Sequence, residues 1–235
     1  MRQTCGWLFV FACAASLTSC STSGVGKRQN TSRTFKTVVV DAGHGGRDSG
    51  ASRRYSPPEK VVTLDVAQRL NRKLRESQFR TVMTRSSDVF VPLDQRVAIG
   101  NRQANSIFVS VHFNDARRRG IHGFETYYSS PHAASLAQRI QRKLLTLPRA
   151  TNRGVRRANF RVLRNAVYPS VLVECGFLSN RAEGAQARSG AYREMLADKI
   201  SEAIVEERYG EGVYNAPPRL GPSIPPDLAA PGLSL

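Results

Sequence analysis

The sequence predicts an α/β fold, a single domain with a mostly parallel, twisted sheet flanked by helices on both faces. Within residues 35–213, short runs of β-branched and apolar residues alternate with segments of helical periodicity. Several of these runs are apolar throughout, which is typical of strands that are buried on both faces. Strands that alternate with helices in this way form parallel sheets covered by helices.

Each predicted element follows from a local pattern. Residues 37–41 are a short β-branched strand, and residues 59–78 place Val62, Val66, Leu70 and Leu74 on one helical stripe. The same criteria predict further strands at 79–84, 106–111, 123–128, 160–163 and 170–174. They predict further helices at 93–104, 133–147 and 191–209.

Residues 1–19 are predicted to be a lipoprotein-type signal peptide. Met1-Arg2 gives a positive start, and the apolar run 7–15 is shorter than the roughly 20 residues of a membrane-spanning helix. Residues 17–20, Leu-Thr-Ser-Cys, resemble a bacterial lipobox, in which Cys20 is acylated. The alternative is an ordinary cleaved signal with a chance cysteine. Acylation predicts a periplasmic, membrane-anchored protein, and Ser21 in place of a retaining aspartate favours the outer membrane.

The remaining termini are polar or rich in proline. Residues 20–34 are predicted to be the lipidated cysteine and a flexible linker, and residues 214–235, with six prolines, a disordered tail. The globular domain is then 35–213. Only Cys175 lies within it, so we expect no disulfide. A monomer is the default expectation.

The charge of the chain is strongly positive. Its 35 Lys and Arg residues against 18 Asp and Glu residues give a net charge of +17. Such a chain is attracted to polyanions, which include nucleic acids, anionic lipids and anionic cell-wall polymers. A basic surface without a specific partner is the simpler alternative. Because the chain has an apparent export signal and no recognisable nucleic-acid motif, we expect no nucleic-acid partner.

Two histidines and two glutamates map to one edge of the predicted sheet. His44 follows the first strand, His112 follows the strand 106–111, Glu174 ends the strand 170–174, and Glu59 opens the first helix. Ligands of open α/β sheets bind beyond the carboxyl ends of the strands. Two His and one Glu are an established ligand set of zinc hydrolases, and a second carboxylate can take a proton from water.

Each of these residues also has a structural interpretation. His44 lies among glycines, which can cradle a phosphate, although the Lys-Ser/Thr of a phosphate-binding loop is missing. His112 can be a hydrogen-bonded core histidine, and Glu59 can favour the helix dipole. Glu174 ends an apolar strand, where an unpaired carboxylate is costly. Pattern alone leaves open which glutamate is the ligand and which is the base.

The motifs of residues 38–209 resemble those of the amidase-3 type N-acetylmuramoyl-L-alanine amidases. Residues 39–51, Val-Val-Asp-Ala-Gly-His-Gly-Gly-Arg-Asp-Ser-Gly-Ala, resemble the opening metal motif of that family. The Glu59-Lys60 pair, the segment from Thr84 to Arg96, Ser-Val-His-Phe-Asn at 110–114 and Val-Leu-Val-Glu-Cys-Gly-Phe-Leu-Ser-Asn at 171–180 resemble later motifs in the same order. Several ordered motifs on one chain are far more specific than a single Gly-His-Gly-Gly.

The resemblance implies a role for each matched residue. His44, Glu59 and His112 would bind one zinc ion, and Glu174 would be the catalytic carboxylate. Asn114 would contact the substrate, with a structural role as the alternative. Asp41 either orients a ligand imidazole or caps its turn. The carboxylates of Asp115 and Glu125 receive no role.

The implied reaction is hydrolysis of the amide between N-acetylmuramic acid and L-alanine in peptidoglycan, with a zinc-activated water. The alternatives are a zinc peptidase that cuts within the stem peptide and a non-catalytic wall-binding lipoprotein. Some relatives carry a helical insertion after the His-x-Asn motif that blocks the zinc site. In this chain only residues 115–122 separate that motif from the next predicted strand, which predicts an open site that needs no activator.

Overall fold

Six strands form one sheet in the computed structural model, which describes residues 27–118 and 120–212. The strands are β1 (Thr37–Ala42), β2 (Arg80–Met83), β3 (Ser106–Asn114), β4 (Phe124–Tyr128), β5 (Asn152–Arg157) and β6 (Ser170–Phe177). The helices are α1 (Glu59–Glu76), α2 (Leu93–Asn101), α3 (Ala134–Leu144), α4 (Arg161–Arg164), α5 (Arg181–Ala187) and α6 (Gly190–Tyr209), and a 3-10 turn spans Pro131–Ala133.

The strands lie in the order β2-β1-β3-β6-β4-β5. All neighbours run parallel except β4 and β6, which are antiparallel. The amino ends of β1, β2, β3 and β6 therefore share one edge of the sheet, called the amino edge below, and their carboxyl ends share the other. The predicted α/β fold with a mostly parallel sheet is confirmed.

Side chains alternate between two apolar clusters, one on each face of the sheet. Val38 and Val40 of β1 belong to the larger cluster, where α1, α3 and α6 pack. Val39 belongs to the smaller cluster, which contains residues of α2 and α4. Helices thus cover both faces, as the apolar strands require.

One predicted strand is wrong. The segment 160–163 forms the helical turn α4, because the backbone amides of Leu163 and Arg164 both donate to the carbonyl of Phe160, each at 2.9 Å. The neighbours Val162 and Leu163 are both buried in the smaller cluster. Consecutive side chains can share a cluster on a helix, whereas a strand would point them to opposite faces.

Two elements escaped the sequence analysis. The edge strand β5 has the sequence Asn-Arg-Gly-Val-Arg-Arg, which lacks the apolar alternation that identifies a strand. The short helix α5 begins after Asn180, whose side chain accepts hydrogen bonds from the amides of Ala182 and Glu183. That Asn-x-x-Glu sequence is a helix-start signal that the apolar pattern does not use.

Residues 28–34, which the sequence assigned to the linker, contact the domain. The Thr31 side chain is buried and donates to the carbonyl of Ser106 at 2.6 Å, and the Gln29 amide donates to the carbonyl of Val167 at 2.9 Å. The predicted signal peptide, the acylation site at Cys20 and the tail 214–235 lie outside the described residues. Among those described, no helix is both long and apolar enough to cross a membrane.

Candidate metal and catalytic site

His44, Glu59 and His112 converge beyond the carboxyl ends of β1 and β3. His44 lies in the turn after β1, Glu59 is the first residue of α1, and His112 lies near the end of β3. The Oε1 atom of Glu59 is 3.0 Å from Nε2 of His44 and 3.1 Å from Nδ1 of His112. One ligand atom from each residue lies within 4.8 Å of the others, so the three form a possible metal site.

Two glycines make this convergence possible. A Cβ atom on Gly43 would lie 2.4 Å from the His112 ring, which is closer than real Cβ atoms approach other atoms. A Cβ atom on Gly50 would lie 2.6 Å from Oε2 of Glu59 and 2.7 Å from Cδ2 of His44. The glycines of the 39–51 motif therefore leave room for the ligand side chains.

Hydrogen bonds fix the orientation of the three groups. The Glu59 carboxylate accepts from the amides of Ala51 at 2.9 Å and Phe113 at 3.0 Å. The Nδ1 atom of His44 lies 2.9 Å from Oδ2 of Asp48. A carboxylate behind an imidazole sets its tautomer and orientation. Asp48 is therefore the residue positioned to orient His44.

Asp41 has a different role from the one considered in the sequence analysis. Its buried carboxylate accepts from Arg96 at 2.7 Å and from the hydroxyls of Thr84 and Ser110, each at 2.6 Å. Burial raises the pKa of Asp41, but Arg96 and the two hydroxyls outweigh it and hold the pKa below its usual value. Asp41 thus anchors the end of β1 and has no hydrogen bond to a ligand imidazole.

Arg96 is the second residue of this anchor and was not recognised from the sequence as part of the site. Besides Asp41, its guanidinium donates to the carbonyl of Ala42 at 2.5 Å and to the carbonyl of His44 at 2.6 Å. Its Nε donates to the carbonyl of Val91 at 2.9 Å. These bonds connect α2 to the turn that carries His44. The available signal was an arginine on the otherwise apolar side of a predicted helix.

Glu174 lies beside the three convergent residues on the same face of the sheet. It pairs in register with His112 on β3 and with Glu125 on β4. Its Oε2 atom is buried and has no hydrogen-bond partner among the described residues. Burial, and to a smaller extent the charges of Glu59 and Glu125, raise the pKa of Glu174 to about 7 against the opposing effect of His112.

The electrostatics of the site favour a cation. Burial raises the pKa of Glu59, but its hydrogen bonds to the two imidazoles outweigh this and hold the pKa far below its usual value. Burial lowers the pKa of His44 and His112, but Glu59 outweighs it and raises both. Ionised Glu59, together with Asp48 and Glu174, therefore surrounds the imidazoles with acidic groups that a bound cation would neutralise.

Asn114, the predicted substrate contact, is half-buried beside these groups. Its amide nitrogen donates to Oε2 of Glu125 at 2.9 Å, and its oxygen accepts from the Asp115 amide at 2.8 Å. Glu125 also accepts from the Tyr127 hydroxyl and from Nε of Arg153, each at 2.9 Å. Glu125 thus lies next to Glu174, and Arg153 is bonded to the far side of this pair through Glu125. Only the pairing of β4 with β6, which the sequence does not reveal, brings them there.

A cleft of about 490 Å³ leads to the two imidazoles. Phe90, Leu93 and Phe160 line it and expose 37%, 53% and 42% of their surface, so its walls are apolar and open to solvent. Arg161 on the same wall donates to Asp94 at 2.5 and 2.6 Å. The cleft can admit an extended substrate with both apolar and polar groups.

Comparisons with known proteins agree with this geometry. Residues 38–206 match the family profile described as N-acetylmuramoyl-L-alanine amidase. N-acetylmuramoyl-L-alanine amidase LytC of Bacillus subtilis is 36% identical over 174 residues, which cover 72% of this chain but only 35% of LytC. The chain therefore spans about a third of that relative. YqiI, an uncharacterised protein of the same organism, is 36% identical over 72% of this chain and 83% of its own.

Solved structures give the same result. N-acetylmuramoyl-L-alanine amidase AmiC2 of Nostoc punctiforme superimposes with a TM-score of 0.70 at 36% identity, over 72% of this chain and 95% of its own. The catalytic domain of CwlV, an N-acetylmuramoyl-L-alanine amidase from Bacillus (Paenibacillus) polymyxa, superimposes with a TM-score of 0.69 at 35% identity, over 73% and 97%. On these matches, the chain belongs to the N-acetylmuramoyl-L-alanine amidase family.

Proposed function

We propose that this chain hydrolyses the amide bond between N-acetylmuramic acid and L-alanine in peptidoglycan, with one zinc ion held by His44, Glu59 and His112. One observation carries the proposal. Three side chains of metal-ligand type converge within 4.8 Å, and the carboxylate of Glu174 lies on the strand next to His112 with a buried oxygen that has no hydrogen-bond partner among the described residues.

The donor set suits zinc in a catalytic site. Two imidazole nitrogens and one carboxylate oxygen are typical ligands, and three protein ligands leave a position open for water or substrate. Catalytic zinc acts as a Lewis acid that lowers the pKa of water and polarises a carbonyl. Asp48 would hold His44 in the tautomer that presents Nε2, the atom that faces Glu59.

Glu174 is the proposed general base and then the general acid. Its unpartnered Oε2 would take a proton from the attacking water and deliver a proton to the amine of the departing L-alanine. As the amide C–N bond breaks, water supplies the hydroxyl of the new lactyl carboxylate and the additional proton of the new amine. Glu125 and Arg153 would maintain the polar wall beside Glu174.

The cleft gives the substrate two kinds of surface. Phe90, Leu93 and Phe160 would contact the acetyl and lactyl methyl groups, which are apolar. Asn114 remains a predicted substrate contact. Because its amide nitrogen already donates to Glu125, a substrate would reach it by sharing or replacing that hydrogen bond.

We propose that the protein acts as a periplasmic monomer anchored through an acylated Cys20 after removal of residues 1–19, with the outer membrane preferred. The catalytic domain would span 35–213, with 20–34 as linker and 214–235 as a disordered tail. The described residues of the connection between β3 and β4 include no helix, which supports activity without an activator. Daughter-cell separation, wall recycling and remodelling are all compatible roles.

The test is release of stem peptides from purified peptidoglycan, with a chelator and with zinc restored. Zinc-dependent release of peptides that begin with a free L-alanine amine supports the amidase. Peptides cut within the stem would show a zinc peptidase instead, and no release by folded, zinc-loaded protein would show a non-catalytic or activator-dependent module.

A further inference from the structure

A group of basic residues without carboxylate partners lies at the amino edge of the sheet. Eight basic residues lie there, and we call them the amino-edge patch: Lys27, Arg28, Arg33, Lys36, Arg80, Arg102, Arg157 and Arg164. All except the half-buried Arg28 are exposed. None of them forms a salt bridge within residues 27–118 and 120–212, so the patch carries a formal charge of about +8.

Hydrogen bonds show that the patch is continuous. Arg28 donates to the carbonyl of Arg164 at 2.9 Å and to the hydroxyl of Ser129 at 3.4 Å. Arg157 donates to the carbonyl of the same Ser129 at 3.2 Å. At the other end, the Arg80 amide donates to the carbonyl of Lys36 at 3.1 Å.

Arg80 also contacts the segment that follows α2. Its guanidinium donates to the side chain of Gln103, the neighbour of Arg102, at 3.3 Å. Every one of these acceptors is neutral. The segments 27–36, 102–106 and 162–170, which lie at this edge, contain no Asp or Glu. Glu76, near Arg80 in sequence, pairs with Arg72.

Many basic residues on other surfaces of the molecule are paired with carboxylates. On the outer helices, Arg69, Arg72 and Lys73 pair with Glu194, and Lys143 pairs with Glu202 and Glu206. At the carboxyl edge, Arg53 pairs with Asp115, Lys60 with Asp88 and Arg161 with Asp94. The amino-edge patch differs from these pairs, because its basic residues have no carboxylate partner among the described residues.

The amino edge is also where the N-terminal segment joins the domain. Residues 28–34 are held against the starts of β3 and β6 by the bonds of Gln29 and Thr31. Lys27 is seven residues from Cys20, and a fully extended chain of this length spans at most about 25 Å. An anchor at Cys20 would keep the patch close to the lipid surface. The residues of the proposed active site lie at the opposite edge, about 20 Å away along strands of this length.

We propose that the amino-edge patch docks onto an anionic lipid surface, so that the catalytic cleft faces away from the membrane. Basic residues near an anionic bilayer each add to the attraction, and the attraction falls off over about 8 Å at physiological salt. A tether of this length lets the patch approach the bilayer to within that range. An anionic membrane fits better than a soluble polyanion, because the same edge receives the segment that leads from the proposed lipid anchor at Cys20.

The test compares the full chain on vesicles of phosphatidylcholine alone and vesicles with 30% phosphatidylglycerol, by co-sedimentation. Because the N-terminal anchor binds both kinds of vesicle, the difference between them reports the charge. The variant R33E/K36E/R102E changes the patch, and the control R54E/R117E/R118E makes the same change in net charge with exposed arginines of the carboxyl edge. We expect the patch variant to lose at least about tenfold in preference for anionic vesicles, and the control to lose little.

Three results would overturn the proposal: equal binding of the unmodified chain to both vesicles, equal losses in the two variants, or complete release from anionic vesicles by a DNA duplex at equal phosphate concentration. The far-UV circular dichroism and the urea-unfolding midpoint of the patch variant should match those of the unmodified chain, which shows that it is folded. Vesicle binding does not require turnover, so the proposed amidase activity can fail while this proposal stands.

Discussion

Replacing Glu174 by glutamine separates the chemistry of the site from its construction. Glutamine has nearly the shape of glutamate but cannot carry a proton between water and the leaving amine. General acid-base catalysis contributes about 10²- to 10⁴-fold, so we expect kcat to fall by at least that factor, or about 3 to 5 kcal/mol. Glu174 is not one of the three convergent ligand residues, so zinc content should stay at one ion per chain.

The same change should stabilise the metal-free protein at high pH. Burial, with smaller contributions from Glu59 and Glu125, raises the pKa of Glu174 from 4.5 to about 7. A difference of about 2.5 units corresponds to a cost on the order of 3 kcal/mol for holding the ionised form in the fold. Below pH 4.5 the carboxyl is protonated in both states and there is no cost. The wild-type protein therefore loses stability relative to Glu174→Gln as the pH rises from 4.5 to 7.

The assay combines stem-peptide release, zinc content and urea unfolding with chelator present at pH 4 and pH 8. Glu76→Gln is the matched control, because it makes the same chemical change at an exposed carboxylate of α1. Wild-type turnover in Glu174→Gln would refute the catalytic role. Loss of zinc together with activity would instead make Glu174 a ligand, and equal unfolding midpoints at pH 8 would contradict the cost of its burial.

Three further predictions follow from the contacts of the site. Arg96→Leu leaves the buried Asp41 without its charged partner and should lower the free energy of unfolding, measured with urea, by about 3 to 5 kcal/mol. Adding Asp41→Asn should restore part of this loss, and unchanged stability of Arg96→Leu would contradict the anchor. Asp48→Asn should weaken zinc binding about 10- to 100-fold in equilibrium dialysis. Unchanged zinc affinity would show that Asp48 does not orient His44. Glu59→Gln should abolish stoichiometric zinc in metal analysis while far-UV circular dichroism stays native, and retained zinc would exclude Glu59 as a ligand.

The sequence predicted most elements because their patterns are local. The stripe of α1 and the apolar runs of β1, β3 and β6 each depend on residues close in the chain, and the structure confirms them. The segment 160–163 failed because two adjacent apolar residues fit either a strand or a helical turn, and only packing against α2 selects the turn. The strand β5 failed because its ladder to β4, rather than its side chains, defines it.

The sequence by itself determined the α/β class and the edge where His44, Glu59, His112 and Glu174 meet. Parallel strands bring their carboxyl ends together, so residues that follow such strands are neighbours whatever the details of packing.

Only the tertiary structure decided which groups support that site. Asp48 rather than Asp41 faces His44, Arg96 connects α2 to the turn after β1, and Glu125 lies beside Glu174 because β4 runs antiparallel to β6. It also decided that eight basic residues without salt bridges lie together at the amino edge. These relations join residues that are distant in sequence, and their geometry is set by strand order and packing, which no local pattern encodes.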